Sequence, residues 1–396
     1  MTIGSAFHSR TSRFNQKLAW EDWWGYYAAS LYADSLDIEY NAVREAAGAI
    51  DVSPLFKYRI WGPDAARMID RIITRDATKL QIDQVYYTPW CDERGKLVDD
   101  GTVCRLDEAT FRWTAAEPNY RWFHMNASGL DVKIEDVSAE LAALALQGPT
   151  SRAVLEAATG EDWSDLRYFR RRQTAIAGIS VDVTRTGYTG DLGYELWVDA
   201  GRGADLWDEL FRAGRAFGLR PVGVAALDVL RVEAGLILLD AEFTSVRSAF
   251  SSEQEYSPFE LGFERLVDLG KERFVGKRAL VAERAEGGPP RRLVGIELDW
   301  ADIEAAFERH GIPTVLTAGT SRSPVPAYAA GRQIGKATST TWSPILKKVI
   351  SLGVVEKVYA RPGSRFQVEW TVEGTREKVG ATVVPLPFLD PPRKRA

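Results

Sequence analysis

Apolar side chains recur at helical spacing in some segments of the chain and alternate with polar ones in others. Segments 204–217 and 224–233 carry apolar residues three and four positions apart, which predicts two helices. Segment 57–61 predicts a short strand. Gly62-Pro63-Asp64 follows it, and proline suits the first turn of a helix that continues to Ile73. The pattern therefore predicts a mixed α and β protein.

The clearest hairpin signal lies between residues 85 and 106. Two strand-like segments, 85–91 and 96–106, flank the acidic and glycine-containing turn Asp92-Glu93-Arg94-Gly95. Asp99 and Asp100 then fall in the middle of the second strand, where carboxylates are disfavoured. Successive side chains of a strand point to opposite faces, so at least one of these acids must face something specific.

A glycine-rich loop is predicted between two further strands. Segment 179–185 predicts a strand, residues 186–193 contain three glycines, and segment 194–198 predicts the returning strand. Glycines tolerate close approach of neighbouring chain, so we expect tight packing around this loop.

The chain divides at a linker-like stretch, Ala285-Glu286-Gly287-Gly288-Pro289-Pro290. We predict one region of two interleaved α/β subdomains over residues 1–285, with an aromatic arm (1–37) packed on its body. Short segments with strand character and Gly and Pro punctuation predict a small β-barrel over residues 291–396. A helix is expected over 38–48, ending at Gly48.

Composition narrows the class of protein. Of 396 residues, 45% are hydrophobic and 27% are charged, which is typical of a globular protein with a large core. The longest aliphatic run, 141–146, is far shorter than the roughly 20 residues that span a bilayer, and the N-terminus has no signal-peptide pattern. We therefore expect a cytoplasmic protein without a membrane contact.

Several kinds of chemistry are disfavoured by what the chain lacks. It has two cysteines and three histidines, none at metal-ligand spacing, so we expect no metal site. The isolated histidines also argue against a Ser/His/Asp hydrolase, which needs a histidine as its base. The net charge of −5 provides no overall attraction for nucleic acid.

Several collinear sequence blocks span roughly residues 38 to 355 and lie at 42–53, 95–100, 146–149, 185–195, 227–235, 274–280 and 337–344. In order and spacing they resemble the glycine-cleavage T-protein (aminomethyltransferase) family and its tetrahydrofolate-dependent demethylase relatives. The resemblance implies an α+β fold, a three-domain cloverleaf with a folate-binding centre and a C-terminal β-barrel. It also implies tetrahydrofolate as the cofactor that receives one carbon from a substrate.

Carried over position by position, the resemblance assigns roles to five residues. Asp100 matches the catalytic acid beside the folate nitrogens, where a carboxylate can accept a proton or stabilise a developing cation. Glu195 matches the acid that binds the paired donor edge of the pterin. Tyr87 and Tyr188 match aromatic folate contacts, although core packing remains an alternative for Tyr87. Arg231 is either the partner of Glu195 or a contact for a folate carboxylate.

Two departures from the family pattern bear on the substrate. Residues 114–117 replace an asparagine, and Leu227 replaces an arginine, so polar contacts to the folate tail or the substrate are lost. These changes favour a small-molecule methyl donor. Trp61 and Trp90 could line its site if the donor is cationic, since aromatic faces attract onium groups.

Two alternatives remain open at this point. A true aminomethyltransferase would need a lipoyl carrier protein as its partner and would release ammonia. A non-catalytic folate-binding accessory protein is disfavoured, because its cysteine-containing motif has no counterpart in 229–240. The identity of the donor, the form in which the carbon moves, the oligomeric state and the role of the arm are not determined by the sequence.

Overall fold

A computed structural model describes residues 1–316 and 318–395; Thr317 and the last residue of the predicted C-terminal region, Ala396, lie outside the described residues. The helices of these residues are α1 (His8–Phe14), α2 (Leu36–Glu45), α3 (Ala65–Ile72), α4 (Tyr120–Asn126), α5 (Ser151–Thr159), α6 (Gly203–Gly214), α7 (Val224–Glu233), α8 (Lys277–Ala285) and α9 (Trp300–Arg309). The strands are β1 (Trp20–Trp23), β2 (Tyr26–Ala29), β3 (Ala47–Asp51), β4 (Phe56–Trp61), β5 (Val85–Cys91), β6 (Leu97–Arg105), β7 (Thr110–Ala115), β8 (Lys133–Asp136), β9 (Leu141–Gln147), β10 (Arg171–Ile176), β11 (Ile179–Thr184), β12 (Gly193–Asp199), β13 (Leu219–Pro221), β14 (Arg291–Leu298), β15 (Thr320–Ser321), β16 (Val325–Ala329), β17 (Arg332–Ser343), β18 (Lys348–Glu356), β19 (Arg365–Val372) and β20 (Thr375–Val384).

The first large sheet is antiparallel, with strand order β5-β6-β7-β4-β8. The predicted hairpin is confirmed as β5 and β6, and Gly95 in its turn has φ +73°, a left-handed conformation that glycine adopts without strain. Helix α3 begins two residues after Pro63, as the sequence predicts, and its apolar face joins the core of this sheet. The sheet therefore presents the Asp99-Asp100 strand, β6, on a rigid base.

The second sheet carries the glycine-rich loop. Its order is β10-β11-β12-β9-β3-β13, antiparallel except for the parallel pair β3 and β13. Helices α5 and α6 contribute Val154, Leu155, Leu206 and Leu210 to its core. Residues 186–192 connect β11 to β12, so the loop lies at one end of this sheet.

The C-terminal strands form the predicted β-barrel. Six strands close in the order β17-β16-β19-β20-β14-β18, because β18 pairs back with β17, and β15 is added at the edge of β17. Closure leaves few unpaired strand edges, and the interior is filled by apolar side chains such as Ile296, Val368 and Val383.

The predicted helix over 38–48 is shorter than expected. It ends at Glu45, and Ala47–Asp51 continues as strand β3. Gly48 lies in that strand rather than at a helix end, and a Cβ there would lie 2.6 Å from a methyl group of Val222. Pairing with β9 and β13 therefore determines the local structure, which periodicity within the segment does not reveal.

The N-terminal arm packs on the body, as expected, and has structure of its own. Helix α1 lies against α6, with the ring centroids of Phe14 and Phe211 5.6 Å apart and Phe7 fully buried. Strands β1 and β2 form a separate hairpin. Trp23 at its tip packs against the core that contains Val222 and Leu230, so the arm reaches the centre of the molecule.

Helix α7 connects the three parts of the molecule. Residues 226–233 are buried, and α7 contacts both α2 and the barrel strand β17. Among the helices of residues 1–316 and 318–395, none combines the length and the apolar character needed to cross a membrane.

Candidate functional site

A cavity of about 310 Å³ lies where the two large sheets, the arm and the barrel meet. Its wall includes residues of β5 and β6, the loop 186–193 with β12, helix α7, the arm strand β1, and the segment after β15. The volume is at the lower end of the range for small-molecule sites. Asp100, Glu195, Tyr87, Tyr188 and Arg231 all line this one cavity.

Asp100 lies on β6 and pairs with Pro89 of β5 in the antiparallel register. The hydroxyl group of Tyr87 donates a hydrogen bond of 2.6 Å to its Oδ2 atom. Burial raises the pKa of Asp100 to about 6, and the Tyr87 hydrogen bond opposes the rise. The carboxyl group can therefore exchange a proton near neutral pH, which suits a general acid or base.

Asp99 faces away from the cavity, as the strand alternation predicts. It is fully buried and accepts hydrogen bonds from Nδ2 of Asn119 at 2.8 Å and from the backbone N–H of Glu117 at 3.1 Å. Burial, together with the neighbouring charge of Asp100, raises the pKa of Asp99 well above its usual range. Asp99 thus braces the strand from behind, with partners within the protein.

Glu195 projects from β12 into the cavity. Its Oε2 atom accepts a 2.5 Å hydrogen bond from the hydroxyl group of Thr186. Burial raises the pKa of Glu195, while the hydroxyl groups of Thr186 and Thr184 and the charge of Arg112 lower it. Within residues 1–316 and 318–395, no cation lies within salt-bridge distance of this carboxylate. It therefore retains acceptor capacity toward the cavity.

Gln147 of β9 shapes the glycine-rich loop. Its Nε2 atom donates to the carbonyl groups of Thr186 and Tyr194, each at 3.2 Å. A Cβ at Gly187 or Gly193 would lie within 2.4 Å of the Gln147 amide, which explains both glycines. The close packing predicted for the loop is thus confirmed.

Tyr188 is presented to the cavity by this loop. Its hydroxyl group donates a hydrogen bond to the carbonyl group of Ile237, and its ring packs against the core around α7. Burial raises the pKa of Tyr188 far above its usual range, so the phenol remains neutral and offers an apolar ring.

Arg231 is not the partner of Glu195, which corrects one of the two roles considered for it. Its Nε atom donates to Asp228 Oδ1 at 2.6 Å, Nη1 donates to Glu242 Oε2 at 2.6 Å, and Nη2 donates to Ser339 Oγ at 2.7 Å. Arg231 is fully buried. The carboxylates of Asp228 and Glu242 offset the cost of removing its charge from water. Arg231 joins helix α7 to the barrel and leaves little capacity for a ligand.

Trp61 and Trp90 do not line the cavity, contrary to the expectation that they contact the donor. Trp90 is fully buried in the core of the first sheet, and its indole N–H donates to Asn119. Trp61 lies at the end of β4, where the guanidinium group of Arg59 stacks 5.0 Å from its ring. Trp90 is opposite Asp99 rather than Asp100 in the β5–β6 register, so it lies on the buried face of the sheet, away from the cavity.

The structure adds cavity residues that the sequence did not indicate. Glu21, Asp22 and Trp23 come from the arm, and Arg322 comes from the segment between β15 and β16. No motif surrounds these residues, and they reach the cavity only through tertiary packing. Asp228 also lines the wall; it lies in the sequence block 227–235, three residues before Arg231.

Among the described residues, His, Cys, Asp and Glu side chains nowhere form a group of three or more that could hold a metal ion. Among these residues, the cavity wall presents carboxylates, phenols, hydroxyl groups, the buried guanidinium group of Arg231, the partly exposed one of Arg322, and apolar surface.

Comparison with known proteins places these features in a family. The GCVT N-terminal domain family matches residues 5–271, and the glycine cleavage T-protein C-terminal barrel domain family matches residues 291–390. Together these matches cover most of the chain.

Relatives of known type agree with both matches. An aminomethyltransferase of Thermoanaerobacter sp. (strain X514) is 34% identical over 347 residues, which cover 86% of this chain and 87% of that protein. A trimethylamine-oxide aldolase of Ruegeria pomeroyi is 33% identical over 410 residues, which cover 100% of this chain but 48% of that protein.

The fold is shared with a solved structure. The crystal structure of glycine cleavage system aminomethyltransferase T from Bartonella henselae superposes with a TM-score of 0.82 over 98% of both chains, at 24% sequence identity. This likeness supports the α+β fold with its C-terminal barrel.

Proposed function

The chain belongs to the glycine-cleavage T-protein family of folate-dependent transferases, and from that premise we propose that it transfers a methyl or other one-carbon unit from a small methylated donor to tetrahydrofolate. The observation that carries this proposal is that Asp100 and Glu195 line one cavity. A single ligand can contact both carboxylates, as a folate acceptor requires.

The chemistry of the wall fits a pterin at the Glu195 side. A pterin presents an exocyclic amine beside a ring N–H, and a carboxylate can accept from both. Glu195 is partly buried, and the direct hydrogen bond that it makes within the described part of the chain comes from the hydroxyl group of Thr186, so acceptor sites are left for such a donor edge. The rings of Tyr188 and Trp197 supply flat apolar surface on the same wall.

Asp100 supplies the acid–base function in this proposal. Tetrahydrofolate, when bound, supplies the nitrogens that receive the carbon. In its ionised form the Asp100 carboxylate accepts a proton from a neighbouring N–H or stabilises a positive charge that develops beside it. Tyr87 orients Oδ2 of Asp100 through their 2.6 Å hydrogen bond and keeps the carboxyl group in one rotamer.

The apolar part of the wall excludes water from the reacting groups. Leu227, Ile237 and Leu239 line the cavity together with the aromatic rings. Low local polarity strengthens electrostatic interactions with Asp100, which is consistent with its raised pKa.

A small donor is supported by the residues around Asp100. Gly101, Thr114, Ala115 and Ala116 line the cavity beside it; Gly101 has no side chain, and those of the other three are small. They include part of the segment that departs from the family pattern. The relative from Ruegeria pomeroyi is named for trimethylamine oxide, a methylated nitrogen compound, which supports methylated amines as the first donors to test.

Aminomethyl transfer in a glycine-cleavage-type system is the second candidate, and it is favoured by the aminomethyltransferase relatives at 34% identity. It would require a lipoyl carrier protein as partner and would release ammonia. A non-catalytic folate-binding role is the third candidate, and it predicts binding without turnover.

The test is to mix the purified protein with tetrahydrofolate and a panel of methylated amines, sulfonium compounds and aryl methyl ethers. We expect one class to yield methyl- or methylene-tetrahydrofolate, detected by mass spectrometry. A parallel reaction with an aminomethylated lipoyl carrier should yield no ammonia. If only the carrier reaction proceeds, the aminomethyltransferase candidate is correct; if folate binds but no donor yields product, the accessory role is correct.

A further inference from the structure

Arg322 lies in the segment that connects β15 to β16 of the barrel and lines the cavity, whose other described lining residues all lie between positions 21 and 239. Its side chain is 41% exposed. Its Nε atom donates to Oδ2 of Asp228 at 2.7 Å, and no hydrogen bond of its terminal nitrogens Nη1 and Nη2 is found with the residues that the structure describes. This guanidinium group is therefore held through Nε, and the N–H groups of Nη1 and Nη2 are available to a ligand.

The anchor of Arg322 is itself held in place. Asp228 accepts from Arg322 through Oδ2 and from Arg231 through Oδ1, at 2.7 and 2.6 Å. Arg231 is fixed in turn by Glu242 and Ser339. Because opposite charges alternate along this chain of contacts, the orientation of the Arg322 guanidinium plane is set before any ligand arrives.

Among residues 1–316 and 318–395, two cationic side chains line the cavity, Arg231 and Arg322. Arg231 is fully buried and engaged by Asp228, Glu242 and Ser339. Leu227 lines the same cavity with an apolar side chain. Of the described cations that line the cavity, Arg322 is thus the one with donors available for an anionic group of a ligand.

We propose that Arg322 binds the carboxylate of a ligand in the cavity through its two terminal nitrogens. The planar guanidinium group matches a carboxylate in a bidentate pair, which lysine cannot form. This inference deepens the proposed function and depends on it for the identity of the ligand. The carboxylate belongs either to the glutamate tail of the folate or to a methylated donor of amino-acid type.

Calorimetric titration of wild type, Arg322→Gln and Arg322→Lys separates the two sources. One pair of probes is 5-formyltetrahydrofolate and the matching pteroate, which lacks the glutamate. The other pair is N,N-dimethylglycine and dimethylamine, which differ by the carboxylate-bearing group. We expect R322Q to weaken one carboxylate-bearing probe by about ten- to a hundredfold, as for a lost charged hydrogen-bonded pair. Its carboxylate-free counterpart should bind as before, and R322K should be intermediate.

A loss confined to the folate pair assigns the contact to the glutamate tail, and a loss confined to the amine pair assigns it to the donor. Arg376→Gln, at a 79% exposed barrel side chain outside the cavity, is the matched control and should change neither pair. Circular dichroism and thermal unfolding verify that R322Q folds. If no carboxylate-bearing probe distinguishes wild type from R322Q, or if the carboxylate-free probes weaken equally, the inference is wrong. Failure of the proposed function is a separate result, namely wild-type protein that forms no folate product.

Discussion

Two regions of the molecule contain buried or partly buried acids, and the regions differ in how many hydrogen-bond donors surround each acid. The first lies between helices α2 and α7 and the C-terminal tail. The second is the cavity wall. Both contain carboxylates shielded from solvent, but the number of hydrogen-bond donors around each carboxylate differs.

In the first region each acid has several donors. Glu233 accepts from Arg44 Nη2, from the Tyr40 hydroxyl group, and from the Ser343 hydroxyl group, at 2.6, 2.6 and 2.5 Å. Asp191 accepts from Arg44 Nη1 at 3.2 Å and from Arg393 Nε at 2.7 Å. These groups connect the tail and the barrel to the body of the protein.

On the cavity wall, Asp100 and Glu195 each have one direct side-chain hydrogen bond from a hydroxyl group and no salt bridge within the described residues. Their pKa values are raised by burial. A buried acid with a full set of partners indicates structure, whereas one with spare acceptor sites in a cavity indicates a ligand. The number of hydrogen-bond partners therefore distinguishes a structural acid from a ligand-binding acid, whereas the residue type does not.

Asp100→Asn should have the largest effect. It preserves the shape of the side chain and the Tyr87 contact but removes the base, so turnover should fall by about 100- to 10,000-fold. Folate affinity should change little, since Glu195 is intact. The measurement is steady-state folate methylation together with a folate titration.

Asp34→Asn, at an exposed residue of the arm, is the matched control and should retain wild-type turnover. If D100N keeps more than a tenth of the wild-type rate, Asp100 is not the catalytic group.

Arg44→Met should affect stability rather than binding. The substitution leaves Glu233 and Asp191 without their shared cation in a buried site, at a cost of about 3 to 5 kcal/mol in the free energy of unfolding. Urea denaturation measures the change. Arg202→Met removes an exposed salt bridge to Asp205 and should change the unfolding midpoint little. Equal effects of the two variants would show that partner count does not identify the structural region.

Glu195→Gln should weaken folate binding by about ten- to a hundredfold, because an amide replaces one carboxylate oxygen with a donor. Unfolding stability should fall little, since few protein partners are lost. Titration with 5-formyltetrahydrofolate measures the affinity, and Glu304→Gln on the exposed face of α9 serves as control. If E195Q binds 5-formyltetrahydrofolate as tightly as wild type, Glu195 does not contact the folate.

The pH dependence of stability should give the smallest effect. The pKa of Asp100 is about 6 in the folded protein and near 3.8 in the unfolded chain, so the folded state binds its proton more tightly. Its contribution to stability is full below pH 3.8 and is lost as the pH rises through 6. Because the cavity leaves Asp100 partly solvated, we expect the loss to be about 1 to 2 kcal/mol.

Unfolding of wild type and D100N by urea at several pH values between 4 and 8 tests this sign. D100N should be relatively more stable at pH 8 than at pH 4, compared with wild type. The opposite trend would mean that the folded state favours ionised Asp100.

Much of the local structure near the cavity was predictable. The bounds of helix α7 agree with the prediction, because its apolar spacing is a local property. The hairpin β5–β6 and the opposite orientation of Asp99 and Asp100 follow from strand alternation. The roles of Asp100, Tyr87, Tyr188 and Glu195 came from the family resemblance and stay predictions until the variants are measured.

The sequence by itself determined helix α7, the β5–β6 hairpin and which side of β6 carries each acid, since these depend on residues close together in the chain. Only the tertiary structure decided that Trp90 lies in a core, that Arg231 pairs with Glu242, and that Arg322 reaches the cavity from the barrel. Each of these depends on contacts between residues far apart in the chain. Local periodicity carries no information about such contacts, because it records only the direction of a side chain from its own element.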